Sequence, residues 1–311
     1  MAAVTAAMVK ALREITGAGM MECKKALGST EGDIDSAVDF LREKGLAGAQ
    51  KKAGRVAAEG IVCTIVSEDG KQAVAVEVNA ETDFVAKNEK FQNYVKEVAE
   101  QVLVTETADV DAFLNEKWSL DTSLTVAEKL SSMISIIGEN MHIRRFAKVQ
   151  ENAGFVESYI HAGGKIGVLL VVETSVVNDA IKEMARNIAM QVAALKPLYT
   201  SDKEVDQDYI SKEKDILMLQ AQNEKPGADE KILNGMVMGR INKELKEICL
   251  LDQVYVKAED GKQSVAKYIA EVAKANAATI VVKSFVRFET GEGLEKKEED
   301  FAAEVAAQMN K

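Results

Sequence analysis

The chain repeats itself. Gly60–Val66, then Gly70 and Lys71, then Val74–Val78 return as Gly154–Ile160, Gly164 and Lys165, and Val168–Val172, an internal repeat at an offset of 94 residues. Further on, Gln101 and Val102 match Gln191 and Val192 at an offset of 90. The first copy therefore carries four more residues between its second strand and the end of its helix, and the extra length falls around Asp83 and Phe84. Duplication accounts for the strands. An aromatic side chain flanked by polar residues, on a loop that only one copy has, reads as something presented to a partner.

Each copy begins with two short strands joined across a glycine. Val74, Val76 and Val78 alternate as in a sheet with one buried face. A helix over about 89–104 follows, then an irregular acidic stretch near 105–111, helical sequence around 126–137 stopped by Gly138, and a third strand over 142–149. The second copy keeps the order, with its late helix at 264–275 and its last strand at 280–288. Each copy is thus a small antiparallel sheet with helices on one face, and the class is α+β.

Helices flank and interrupt the pair. Thr5 can cap a helix through about Ile15 that ends at Gly17–Gly19, a second covers Met20–Leu27, and Asp33 caps a third with Ile34, Ala37, Val38 and Leu41 on one face. Residues 47–58 read as a polar connector or helical linker. Between the early and late helices of the second copy lies an insertion with helical stretches at about 203–222 and 228–245, broken at Asn223–Gly227. So short a loop folds the helices back antiparallel, and the hairpin packs either on its own body or on a second copy as a homodimer. A last amphipathic helix is expected over 300–309. The resulting units are 1–55, a helical module and linker; 56–150, the first core unit; 151–196 with 246–289, the second; 197–245, the helical hairpin; and 290–311, a C-terminal module.

At 311 residues the chain can build more than one core. Lys and Arg total 39 against 50 for Asp and Glu, a formal charge of −11 that argues against direct nucleic-acid binding. The three cysteines are scattered and form no C-x-x-C, as expected of buried thiols in a reducing cytosol. No signal peptide and no membrane-spanning run is evident, so a cytoplasmic protein without membrane contact is expected. Gly70-Lys71, Gly164-Lys165 and Gly261-Lys262 lack the upstream glycine of a phosphate-binding loop. The two histidines, His142 and His161, stand alone, with no G-x-S-x-G or H-E-x-x-H around them. Neither a cofactor, a metal nor an enzymatic reaction is expected.

Five separated segments closely resemble bacterial translation elongation factor Ts: Ile15–Leu27, Asn79–Lys87, Gly138–Arg145, Tyr159–Gly167 and Arg287–Glu295. They occur in order over essentially the whole chain. The resemblance implies a guanine-nucleotide exchange factor for elongation factor Tu. It implies a ubiquitin-associated-like N-terminal module, two related α+β core units, a protruding helical hairpin and a C-terminal helix that docks on the partner. It places Thr82, Asp83, Phe84 and Val85 beside the GTPase's magnesium and phosphate site. It also implicates Met20, Met21 and Lys24 in gripping the G domain, Ile137 and Gly138 near the same switch elements, and His161 in a contact to another domain of the GTPase. By themselves these residues read differently: Phe84 as core, Met20 and Met21 as core or helix-start residues, Lys24 as a solvated charge. Val254-Tyr255-Val256 stands where the family usually has Pro-Phe-Val, which puts contacts there in doubt. Two other readings remain, a non-catalytic adaptor working through its helical module and a hydrolase using core carboxylates.

Overall fold

In a computed structural model, residues 4–295 are described. The order is α1 (Ala6–Thr16), α2 (Met20–Ser29), α3 (Ile34–Lys52), β1 (Glu59–Val66), β2 (Gln72–Ala80), α4 (Asp83–Ala86), α5 (Glu89–Val104), α6 (Val110–Leu114), β3 (Lys117–Trp118), β4 (Asp121–Thr125), α7 (Val126–Ile137), β5 (Met141–Gln150), β6 (Gly154–His161), β7 (Ile166–Thr174), α8 (Asp179–Leu195), α9 (Gln207–Glu224), α10 (Glu230–Ile248), α11 (Val265–Ala275) and β8 (Ile280–Glu289). The class is α+β, as the sequence predicts. The helix expected over 300–309 lies outside the described residues.

The two copies form antiparallel sheets of order β1-β2-β5 and β6-β7-β8. Val74, Val76 and Val78 pack with Phe91, Val95, Val98 and Val102 of α5. In the second copy Val168, Leu170 and Val172 pack with Ile181, Met184, Ile188 and Val192 of α8. The expectation of one buried face on β2 is corrected here. Ala73 and Ala75 are fully buried as well, against Val156, Leu169 and Val171 of the other sheet. The alternation of Val with Ala therefore marks a strand covered on both sides, by a helix on one and a second sheet on the other. The layers run helix, sheet, sheet, helix.

The repeat extends to details invisible in a motif scan. A β-bulge between Glu77 and Val78 on the β2–β5 ladder has its counterpart between Val171 and Val172 on β7–β8. A Cβ on Gly60 would collide with the Val78 carbonyl, and one on Gly154 with the Val172 carbonyl. Gln101 Nε2 donates to Lys117 O (2.9 Å) while its Oε1 accepts Ser119 N–H (3.0 Å); Gln191 does the same with Val254 O (2.9 Å) and Val256 N–H (2.8 Å). This equates Trp118 with Tyr255. Both are core residues, Tyr255 stacking on Tyr268 with centroids 4.1 Å apart. The Tyr that departs from the family pattern is thus an interior side chain.

The bulge also lets two consecutive arginines reach one carboxylate. In a regular strand Arg144 and Arg145 would point to opposite faces; with Arg144 as the extra residue, Arg144 Nη1 and Arg145 Nε lie 2.9 and 2.5 Å from the two oxygens of Glu77. Glu77 is wholly buried. Burial opposes its ionisation, but the Gly291 N–H and the two guanidinium groups prevail and hold its carboxyl below the usual range.

Helices α1–α3 close a small core of Leu12, Cys23, Ala26, Leu27 and Ala37. Thr5 and Asp33 cap α1 and α3 as predicted, and α3 continues to Lys52, absorbing much of the expected connector. The unit rests on α7, where Arg42 pairs with Glu128 (2.7 Å) and Gly45 lies against Ser135. The antiparallel hairpin α9–α10 makes its own core from Ala221, Leu233, Val237 and Ile241, while Ile216, Leu219 and Ile232 remain exposed. Helix α6 and the short β3–β4 hairpin occupy part of the stretch expected to be irregular and the residues between it and α7.

Candidate functional site

Eight residues, Glu81–Asn88, link β2 to α5, against four, Ser175–Asn178, between β7 and α8. The difference is the four-residue α4. Thr82 caps it, its Oγ1 accepting the Val85 N–H at 3.3 Å, and Asn88 then caps α5. One turn of helix cannot hold itself together, because its nucleation cost exceeds what one or two hydrogen bonds return. Support comes from below and behind. Val85 and Ala86 face inward, Val85 joining the first core, and Glu139 receives both the Thr82 N–H (3.0 Å) and the Thr82 hydroxyl (2.7 Å). Phe84 points the other way and is 81 % exposed. An aromatic ring so displayed costs hydration free energy and is maintained by its neighbours rather than by its own packing.

Asp83 lies beside Phe84, its carboxylate 2.7 Å from Lys87 Nζ. That hydrogen bond, with the positive fields of Lys87 and Lys165, holds the carboxyl below the usual range, so Asp83 is an anion at neutral pH. Lys165 belongs to the β6–β7 turn and pairs with Glu59 of β1. His161 ends β6 just before that turn, exposed, with Nδ1 3.0 Å from Tyr159 Oη, and the turn's buried Gly164 is pressed against Ile61. The second sheet thus brings its turn towards the loop of the first.

Ile137 ends α7 and Gly138 stops it in a left-handed conformation (φ 93°) that suits glycine. Glu139 and Asn140 come directly after, the Asn140 N–H donating to Glu81 Oε1 at 2.5 Å. Ile137, Gly138 and the Thr82–Val85 turn are therefore one connected structure. Met20, Met21 and Lys24 belong to another. Met20 opens α2 and both methionines are exposed (58 % and 65 %), neither contributing to the core; Lys24 is exposed, and Cys23, Ala26 and Leu27 take the buried face. Among the described residues no hydrogen bond or ion pair joins these three to Thr82–Val85. The sequence reading missed Glu139, Glu81, Lys87 and Lys165, because their partners are either distant in sequence or ordinary in type.

Burial pushes the Cys63 thiol up to about 11, and Cys249 likewise to about 11, leaving both as protonated, weakly nucleophilic groups. A cavity of about 470 Å³ between the helical unit and the first core unit is lined by Glu22, Arg42, Trp118, Asp121, Glu128 and Lys129, among others. The Lys44 hydrogen bond to Glu22, the Ser123 hydroxyl on Asp121 and the Thr125 N–H on Glu128 hold these three carboxyls below their usual range. None keeps a proton to give as a general acid. Among the described residues no three His, Cys, Asp or Glu side chains converge as a metal set, and no helix is long and apolar enough to cross a membrane.

The family model described as elongation factor TS matches residues 81–292, about two thirds of the chain. The chain belongs to the elongation factor Ts family. Curated relatives bear this out over the full length: an elongation factor Ts of Clostridium novyi is 52 % identical over 307 residues, covering 99 % of each chain. One of Clostridium botulinum is 53 % identical over 308 residues, covering 99 % of this chain and all of the relative, and one of Clostridium perfringens 53 % over 303 residues, covering 97 % and 98 %. Membership of the elongation factor Ts family makes the protein a translation elongation factor.

Proposed function

We propose that the chain is a guanine-nucleotide exchange factor that promotes GDP release from elongation factor Tu in the cytoplasm, and that the loop bearing Asp83 and Phe84 is the element that acts. The observation that supports this best is the exposed Phe84 ring on a turn that only one of two duplicated units possesses. A nanomolar nucleotide is held by about 12 kcal/mol, largely through phosphate cradling and magnesium. A partner accelerates its loss by binding the nucleotide-poor conformation better than the loaded one, and moving that balance from 1:99 to 99:1 takes roughly 5.5 kcal/mol of preference. Phe84 supplies that preference as a ring wedged between packed elements of the GTPase. Asp83, kept anionic by Lys87, competes for groups that order the magnesium. Met20, Met21 and Lys24 on α2, Ile137 and Gly138 beside the loop, and His161 at the end of β6 make the flanking contacts. Coupling is reciprocal, so fresh nucleotide in turn expels the factor. No covalent step is involved.

Stopped-flow release of fluorescent GDP from the cognate GTPase tests this, with wild type, Asp83→Ala and Phe84→Ala. Strong acceleration by wild type and much less by Phe84→Ala is expected. Equal rates for all three would remove the loop from the mechanism, and no acceleration by wild type would favour an adaptor acting through α1–α3.

A further inference from the structure

We infer that Glu139 is a positioning residue for exchange: with Glu81 it forms a reciprocal clamp that fixes the α4 turn and so aims Phe84. The inference rests on the exchange reading above. The clamp crosses two connections. Glu81, on the loop after β2, accepts the Asn140 N–H from the turn after α7 (2.5 Å); Glu139, on that turn, accepts the Thr82 N–H (3.0 Å) and the Thr82 hydroxyl (2.7 Å) on the loop. Because Thr82 Oγ1 gives its proton to Glu139, its lone pairs face the Val85 N–H, so Glu139 also sets the direction of the cap that forms α4. Arg55 extends the clamp to the linker from α3, its guanidinium 3.4 Å from Glu81 and its carbonyl accepting Asn140 Nδ2 at 2.8 Å.

The second copy is an internal control. There the Thr279 N–H donates to Ser175 Oγ (3.0 Å), at the positions equivalent to Asn140 and Glu81, and Ser175 N donates to Thr279 O (3.2 Å). A second tie, from Asn178 Nδ2 to Asn276 Oδ1 (2.9 Å), joins the same two connections, again without a carboxylate. The position equivalent to Glu139 is Ala278, and that of Thr82 is Val176, whose N–H is accepted by the Thr174 hydroxyl of its own connection (3.3 Å) and not by the opposite turn. What the fold requires is met without a carboxylate at that place; the extra one occurs where a short helix displays an aromatic ring. A carboxylate accepting two donors at once is also the stiffer fastening, since charge-assisted bonds are shorter and about twice as strong as neutral ones.

The test measures GDP release from the cognate GTPase across factor concentrations for wild type, Glu139→Gln, Glu139→Ala, Phe84→Ala and Phe84→Ala/Glu139→Ala. Misaiming a reacting group by an ångström can cost on the order of a hundredfold, and for Glu139→Ala a drop of roughly tenfold in the release rate at saturation is expected, with the half-saturating concentration little changed. Glu139→Gln, which keeps one acceptor, should fall between. The double variant should be no slower than Phe84→Ala, because a positioning residue has nothing left to aim. Amide hydrogen exchange over 82–88 should be faster in Glu139→Ala. Unchanged release by Glu139→Ala, a loss that multiplies with that of Phe84→Ala, or unchanged hydrogen exchange over 82–88 would overturn the clamp. A wild type that accelerates nothing would instead sink the exchange reading.

Discussion

Glu77 Oε1 accepts the main-chain N–H of Gly291 at 2.8 Å, joining the middle of the first sheet to the chain just past the end of the second. The contact spans 214 positions of sequence, and it sits inside the pair of ion bonds to Arg144 and Arg145.

Removing that carboxylate takes an acceptor from two guanidinium groups, each less than a third exposed, from the Gly291 N–H and from the buried Asn79 side-chain amide. Breaking one side of a buried ion pair costs about 3–5 kcal/mol, and Glu77→Ala should fall near the lower end because both arginines reach some water. Urea unfolding of the variant against wild type measures it; a loss within experimental error would show the cluster to be dispensable.

The same group gives a pH signature. Its folded carboxyl titrates below its ordinary value of 4.5, so the unfolded chain takes up the proton first as pH falls. The stability difference between wild type and Glu77→Gln should be constant at neutral pH, begin to shrink near pH 4.5 and close once the folded group is itself protonated. A difference that grows on acidification would contradict the assigned direction.

Much of this architecture was legible in the chain. Thr5 and Asp33 each start a helix where their side chains predict, and α5 and α7 begin and end where the sequence places them. The exposed turn could be found from a count of residues between two copies. What stayed hidden depends on contacts between distant segments. Glu77 occupies a strand position that alternation assigns to water, and only the opposing sheet and a bulge against the distant strand β5 make it interior. Ala73 and Ala75 carry too little side chain to announce a second buried face. Glu139 is one of many glutamates until Thr82 is seen beside it.

Phe84→Ala should leave stability almost unchanged, within about 0.5 kcal/mol, as for exposed positions generally. Thermal unfolding beside the release assay separates the roles: a large fall in melting temperature would mean that the ring supports the fold.

Gln101→Ala and Gln191→Ala should each cost about 2 kcal/mol, since each strands a part-buried carbonyl and an N–H on the segment that carries Trp118 or Tyr255. Because the two share no partner, their effects should add in the double variant. Chemical denaturation of the four proteins checks both statements.

Asp83 should need no titration to act. With Lys87 keeping it ionised, the ratio of release rates for wild type and Asp83→Asn should be flat between about pH 6 and 8, well above any carboxylate range. A ratio that changes across that interval would assign the group a proton that the geometry denies it.

The arm formed by α9 and α10 leaves the body and returns to it at a single point, where Leu198 and Tyr199 donate to the Ile248 carbonyl and Leu250 donates to that of Tyr199. Stitched there and filled by its own side chains, it keeps its shape without borrowing from the interior of either sheet.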